Sequence, residues 1–161
     1  MRQVNKSMND DNRSSFFYNY GLYMAWIVSI VATAGSLYLS EVMHFTPCRW
    51  CWFQRIFMYP QVILLGMAAY RGDRRMASYV LPLAIIGGCI SAWHYAEQKV
   101  PGLYRMVPCT DGVPCNEDYL DWFGIITIPL MALVAFILIA GNLWLTNRAY
   151  KREAREAAAV E

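Results

Sequence analysis

The five cysteines of this 161-residue chain are unevenly distributed, and four of them form two closely spaced pairs. Cys48 and Cys51 are separated by two residues within FTPCRWCWFQRIFMYP, and Cys109 and Cys115 by five residues within CTDGVPC. Neighbouring thiols carry electrons by opening and closing a disulfide, and small strained rings are the labile ones. The pattern therefore predicts thiol–disulfide chemistry.

A cation and an imidazole accompany the first pair. Arg55 lies four residues after Cys51, so both side chains project from one helix face, with the cation roughly 6 Å deeper. A charge inside an apolar segment predicts a functional site, here one that hydrogen-bonds a quinone oxygen as negative charge develops on it. His94 lies at similar depth, where it would orient or protonate such an oxygen. The competing interpretations are that Arg55 snorkels to the interface and that His94 belongs to an aromatic belt.

The elements that must hold these residues are four long apolar segments. The chain is 57% hydrophobic and 16% charged, which argues against disorder and against a soluble globular domain. Each segment reaches roughly the 20 residues that a helix needs to cross about 30 Å of hydrocarbon. We predict an all-α integral membrane four-helix bundle, with helices at 21–40, 51–69, 76–96 and 125–145.

The basic residues predict the orientation of these helices. Only Arg49, Lys99 and Arg105 fall on one face, whereas ten basic residues fall in the N-terminal tail, the 70–75 turn and the C-terminal tail. By the positive-inside rule, both termini are expected in the cytoplasm and the paired cysteines outside it, where disulfides persist. The net charge of +2 thus concerns topology and does not indicate nucleic-acid binding.

The predicted domains are a polar cytoplasmic tail at 1–19, a transmembrane redox domain at 20–146 and a charged cytoplasmic tail at 147–161. The ending KREAREAAAVE has helix-forming composition, so it is expected to extend the fourth helix.

Small residues at spacings of three and four predict close packing between the helices. In the third helix the predicted seam consists of Ala84, Gly88 and Ala92, with Gly87 and Ser91 alongside. Cys89 is expected to be a small buried hydrophobe there.

Three interpretations of the paired cysteines remain open from the residues alone. A thiol relay would be an enzyme, whereas two static disulfides would staple a structural four-span protein, tetraspanin-like in outline. A four-cysteine zinc site would be a binding function, but zinc sites favour pairs separated by two to four residues. The wider spacing of Cys109 and Cys115 weakens the zinc interpretation.

These features together resemble the DsbB family of bacterial disulfide-bond formation proteins. The segments CRWCWFQRIFMYP, HYAEQKVPG and VPCNEDYLDWFGIITIP are most similar to its BdbC branch, and the resemblance covers residues 20–145. It implies a thiol:quinone oxidoreductase of the bacterial cytoplasmic membrane, with menaquinone or ubiquinone as the electron acceptor and no requirement for a metal. The implied partner is a soluble or membrane-tethered thioredoxin-like oxidoreductase of the DsbA or BdbD kind.

The resemblance also assigns roles to the cysteines. Cys109 and Cys115 would form the shuttle disulfide that reoxidises the partner, and Cys109 would make the mixed disulfide. Cys48 and Cys51 would hand the electrons to the quinone, with Cys51 facing it. The spacing of Cys109 and Cys115 is shorter than in the Gram-negative members, so the geometry of the relay is expected to differ.

The quinone site implied by the resemblance contains Arg55, which matches the arginine of the family, and His94, which is similar in placement to a histidine near the quinone. The nearest rival is a reductase of the vitamin K epoxide reductase kind, also a four-span thiol–quinone enzyme, which runs in the opposite net direction.

Overall fold

The computed structural model describes residues 2–100 and 127–160. Within them the chain forms four α-helices, namely α1 (Arg2–Leu37), α2 (Arg49–Arg71), α3 (Met76–Lys99) and α4 (Ile128–Val160). A π-helical turn at Tyr38–Val42 continues α1. The described part of the chain contains no strand, in agreement with the predicted all-α class.

The helices extend beyond the apolar segments that predicted them. α1 begins at Arg2 rather than near residue 21, and α4 begins at Ile128 and continues to Val160, so the charged ending extends it as predicted. α2 and α3 lie within three residues of their predicted bounds. A polar segment continues a helix wherever its residues have adequate helix propensity, and hydropathy does not report this.

The four helices pack side by side in the order in which they follow along the chain. Each helix contacts the next one, α1 also contacts α4, and α2 and α4 lie diagonally opposite with little contact. The tight turn between α2 and α3 depends on Gly72, whose φ of 64° disfavours residues with a Cβ. In the same turn the Asp73 carboxylate accepts a hydrogen bond from the Arg75 N–H at 3.0 Å.

Among the residues that the structure describes, three helical segments are long and apolar enough to cross a membrane, namely Asn19–Val42, Met76–Lys99 and the Ile128–Ala159 part of α4. α2 is less apolar because it carries polar side chains at Gln54, Arg55 and Gln61. Its 23 residues still extend over about 34 Å, and it packs between α1 and α3. The prediction of a four-helix bundle is consistent with this arrangement.

The bundle interior follows one stripe of α3. The buried residues of this stripe recur at spacings of three and four: Ala77, Val80, Ala84, Gly87, Ser91, His94 and Glu97. Gly87 lies directly beneath the ring of Phe136 from α4. The prediction was therefore wrong for Ala92, which is exposed, and for Cys89, which is exposed instead of buried. Lipid is as apolar as the bundle core, so an apolar helix does not indicate which of its faces packs inward.

We expect Gly87→Ala to destabilise the protein by about 1–3 kcal/mol, because the added methyl group would overlap the Phe136 ring. Gly88→Ala is the matched control, since its Cβ would lie at an ordinary 3.5 Å from Phe136 Cβ. Thermal unfolding in detergent, followed by circular dichroism, compares the two. Equal melting temperatures for the two variants would contradict the packing described.

Candidate active site

The Cys-x-x-C pair lies at the start of α2. Cys48 is the N-cap residue, with extended backbone (φ −71°, ψ 174°), and its sulfur accepts a hydrogen bond from the Cys51 N–H at 3.4 Å. The two sulfurs lie 3.1 Å apart and both cysteines are free thiols. Cys48 is buried and Cys51 is half-buried. The predicted placement at the helix start is correct, although α2 begins at Arg49, one residue after the first cysteine.

His94 reaches the pair from α3. Its Nε2 atom lies 3.5 Å from the Cys48 sulfur, and its Nδ1 atom lies 3.2 Å from Gln54 Nε2 on α2. When the Gln54 amide donates to Nδ1, the imidazole carries its hydrogen on Nε2 and donates it to the sulfur. His94 is only 1% exposed, so it is part of the bundle interior rather than of an interfacial aromatic belt.

Arg55 is held by α1. Its Nε and Nη2 atoms donate to the hydroxyl and the carbonyl of Ser36 at 3.1 and 3.2 Å, and its guanidinium lies 5.4 Å from the centre of the Trp52 ring. The Ser36 hydroxyl also lies 3.3 Å from the Tyr59 hydroxyl. The Ser36 carbonyl precedes the π-helical turn at Tyr38–Val42 by two residues, and such turns often occur at functional sites. The guanidinium is therefore fixed between α1 and α2.

One cavity of about 570 Å³ connects these groups. Both cysteines, Gln54, Arg55 and His94 line it, and its remaining walls are mainly aliphatic and aromatic side chains contributed by α1, α2 and α4. This volume lies within the range of small-molecule sites, which are mostly apolar with a few placed polar groups. The cavity therefore suits a small, largely apolar molecule.

The contacts of Cys48 favour its thiolate. They lower the pKa of the Cys48 thiol to about 4, and the largest cause is the hydrogen bond between the two thiols. Burial acts in the opposite direction, while the hydrogen bond and the charge of His94 lower the pKa further. The N-terminus of a helix adds a positive potential at this position. The reduced pair is thus arranged as one thiolate and one thiol.

Sequence reasoning missed three polar residues of the site. Gln54 and Ser36 hold His94 and Arg55 in place. Glu97 follows His94 by one turn, is 2% exposed and has no hydrogen-bond partner among the described residues for either carboxylate oxygen. It interacts electrostatically with His94, Cys48 and the Trp50 indole. Gln54 and Glu97 were visible in the sequence as polar residues at the ends of apolar segments, which is a recognised signal.

Cys109 and Cys115 lie outside the described residues, so their predicted shuttle role stays a prediction.

The site also contains a group of side chains that could hold a metal ion. The three possible ligand atoms come from Cys48, Cys51 and His94 and lie within 4.8 Å of one another.

Comparison with known proteins identifies the relatives of the chain. The family described as "Disulfide bond formation protein DsbB" matches residues 19–146. Disulfide bond formation protein C of Bacillus subtilis is 58% identical over 118 residues, covering 73% of this chain and 86% of the relative. A probable disulfide formation protein of Coxiella burnetii is 42% identical over 128 residues, covering 79% of this chain and 87% of the relative. No solved structure matches the chain.

The matched segment contains both cysteine pairs, Arg55, His94 and nearly all of the apolar bundle. The resemblance seen in the cysteine segments is therefore confirmed. The chain belongs to the DsbB family of disulfide bond formation proteins, which are disulfide-forming membrane oxidoreductases.

Proposed function

We propose that this protein is a membrane thiol:quinone oxidoreductase, which reoxidises a thioredoxin-like disulfide donor outside the cytoplasm and passes the electrons to a membrane quinone. The observation that supports this most strongly is the shared cavity. A Cys-x-x-C pair, an imidazole and a guanidinium line one largely apolar space of about 570 Å³. Thiols at its wall would give electrons to a molecule that enters from lipid.

The charges around the cavity fit a quinone. The described partners of Arg55 are neutral, namely the hydroxyl and carbonyl of Ser36 and the Trp52 ring. Its positive charge is therefore available to an oxygen that becomes negative, and such an interaction is strong where water is excluded. A bound quinone would supply the terminal acceptor, taking up two electrons and two protons to become the quinol.

The electrons would reach this site by successive thiol–disulfide exchange. The two thiols of the partner reduce the Cys109–Cys115 disulfide and are themselves oxidised to a disulfide. The resulting Cys109 and Cys115 thiols then reduce the Cys48–Cys51 disulfide in the same way. Each exchange breaks one disulfide and forms another, and two electrons and two protons move forward at each stage.

The residues of the first pair would divide the work within the cavity. His94 donates from Nε2 to the Cys48 sulfur and stabilises its thiolate. Cys51 lies one helical turn before Arg55 and is the less buried of the two residues, so it is the one we assign to face the quinone. Arg55 stabilises the negative charge that develops on the acceptor oxygen.

The arrangement of charge supports a membrane orientation. Cys48 and Arg71 lie at opposite ends of α2, and the Arg75 Nε donates to the Tyr150 hydroxyl at 3.0 Å, so the basic part of α4 lies beside the α2–α3 turn. Most basic residues are thus at the end of the bundle remote from the thiols. We propose that this end faces the bacterial cytoplasm and that the redox cysteines face outward.

The test of the function is reduction of a soluble ubiquinone or menaquinone analogue, followed by its ultraviolet absorbance. Purified oxidised protein is mixed with a reduced thioredoxin-like Cys-x-x-C protein as the electron donor. We expect one quinone reduced for each disulfide formed in the donor. Cys51→Ser is expected to abolish the reaction, whereas Cys89→Ser is expected to retain it because Cys89 is exposed on α3, outside the cavity.

Two other results would assign the protein differently. Unchanged quinone absorbance with folded wild-type protein, both quinones and several thiol donors would favour the disulfide-stapled structural protein. Oxidation of a quinol coupled to reduction of the thioredoxin-like protein, without the forward reaction, would favour the reductase of the vitamin K epoxide reductase kind.

The Cys48 thiol is expected to titrate near pH 4 in the reduced protein. Ultraviolet thiolate absorbance measures this in a variant without the other thiols of the chain (C89S, C109S, C115S). The thiolate forms as the pH rises through the pKa, so it is complete at neutral pH and lost in acid. Cys51→Ala removes the largest stabilising contact and His94→Ala a smaller one, so both should move the midpoint upward. If Cys48 titrates near the ordinary thiol value of about 8.5 while Cys51 and His94 are both still present, the site geometry is contradicted.

Ser36 is expected to act as a positioning residue through Arg55. Ser36→Ala removes one of the two hydrogen bonds that hold the guanidinium, so we expect kcat/KM for the quinone to fall about tenfold. The loss should appear mainly as a higher KM for the quinone, with the KM for the thiol partner unchanged. Ser78→Ala is the matched control, since the Ser78 hydroxyl donates to the Arg75 carbonyl at the end of the bundle remote from the thiols. An equal loss in both variants would exclude this role.

A further inference from the structure

We propose that the reduced Cys48–Cys51 pair and His94 form a binding site for Zn²⁺ and similar thiophilic divalent ions, and that the bound ion holds the pair in its reduced state. The three ligand atoms come from α2 and α3 and lie within 4.8 Å of one another. The ion would inhibit electron transfer. The site differs in its ligands from the four-cysteine zinc site considered from the sequence, because a histidine replaces the second cysteine pair.

The distances are close to those of a tetrahedral site. Zinc–sulfur bonds of about 2.3 Å and zinc–nitrogen bonds of about 2.05 Å place two sulfurs about 3.8 Å apart and a sulfur and a nitrogen about 3.6 Å apart. The Cys48 sulfur lies 3.5 Å from His94 Nε2, which fits without movement. The two sulfurs lie 3.1 Å apart and need to separate by less than 1 Å. Cys51 is the half-buried member of the pair and has the space to move.

Gln54 allows His94 to act as a ligand. An imidazole that binds a metal through Nε2 carries its hydrogen on Nδ1 and donates it to a neighbouring acceptor. Gln54 faces Nδ1 at 3.2 Å and is buried. Rotating its amide by half a turn presents Oε1 instead of Nε2, so the same residue supports either tautomer of His94.

The charge balance also favours a divalent ion. Since the reduced pair is one thiolate and one thiol, binding follows M²⁺ + RS⁻ + RSH → M(SR)₂ + H⁺, with no change in oxidation state. The two thiolates neutralise the ion, so a largely apolar cavity receives no net charge. The three protein ligands leave a fourth position for water, as in other open zinc sites.

The site exists in only one redox state, because the Cys48–Cys51 disulfide has no thiolate to offer. On the proposed function, an ion would therefore bind after electrons have reached the first pair and before they leave it. Both sulfurs would then be coordinated, and oxidation of the pair by quinone would be slowed.

The test uses Cd²⁺ as the probe, because its thiolate complexes absorb in the ultraviolet. The full-length C89S, C109S, C115S variant is titrated in detergent after reduction, without quinone or partner. We expect one Cd²⁺ per chain and a thiolate-to-cadmium band at neutral pH. A large excess of Zn²⁺ should compete for the site and weaken the band, and the same protein with the Cys48–Cys51 disulfide formed should show no band.

His94→Ala is expected to weaken binding of Cd²⁺ by roughly tenfold or more, since loss of even a supporting partner of a ligand costs about this much. Gln54→Leu gives a second measure, with a smaller loss, if the first variant folds poorly. Absence of a one-to-one band in the reduced protein would overturn the site, and so would a band of unchanged affinity in both variants. The titration contains no quinone and no partner protein. Its result is therefore independent of whether the proposed enzyme activity is found.

Discussion

The contact between the Cys48 sulfur and the His94 imidazole joins the start of α2 to the end of α3, and the geometry of the redox site depends on it. A second contact, from Arg55 to Ser36, joins α2 to α1. Apart from these contacts and the neighbouring Gln54–His94 and Ser36–Tyr59 hydrogen bonds, the helices meet mainly through apolar packing, which in lipid has no hydrophobic driving force to favour one register over another. Each polar contact between membrane helices contributes on the order of 1 kcal/mol. Their larger effect is to fix the depth and rotation of α2, and hence the positions of its thiols.

This dependence explains why α2 is less apolar than the membrane-crossing parts of the other three helices. Two of its polar side chains have partners on neighbouring helices: Gln54 reaches His94 and Arg55 reaches Ser36. The Gln61 amide instead donates to the Phe57 carbonyl of α2 itself at 2.8 Å. A polar group left unpaired in hydrocarbon costs several kcal/mol. α2 is therefore stable across a membrane only while α1 and α3 flank it. The site and the bundle stabilise each other.

The sequence was sufficient to predict the helices and the position of the first cysteine pair, because hydropathy and Cys-x-x-C spacing are local signals. Arg55 and His94, which the sequence also singled out, line the cavity, and their role at a quinone stays a prediction. The sequence did not predict the extension of α1, since a polar helix lacks a hydropathy signal, or the exposure of Cys89. The roles of Ser36 and Gln54 depend on contacts between helices. Ordinary serine and glutamine side chains gain such roles only when a particular neighbour lies opposite, which spacing along one helix does not reveal.

The positive groups of the site act at two depths. His94 and the N-terminus of α2 lie beside Cys48 and stabilise its thiolate. Arg55 lies one turn deeper and is held by neutral groups. A thiolate of low pKa is a good leaving group but a weaker nucleophile. On the proposed function, charge placed only at the sulfur would retain electrons, whereas an arginine deeper in the cavity would favour their transfer to an acceptor there. The proposed metal site follows from the same arrangement: two thiols and an imidazole that exchange a proton are also three metal ligands, and formation of the disulfide removes two of them.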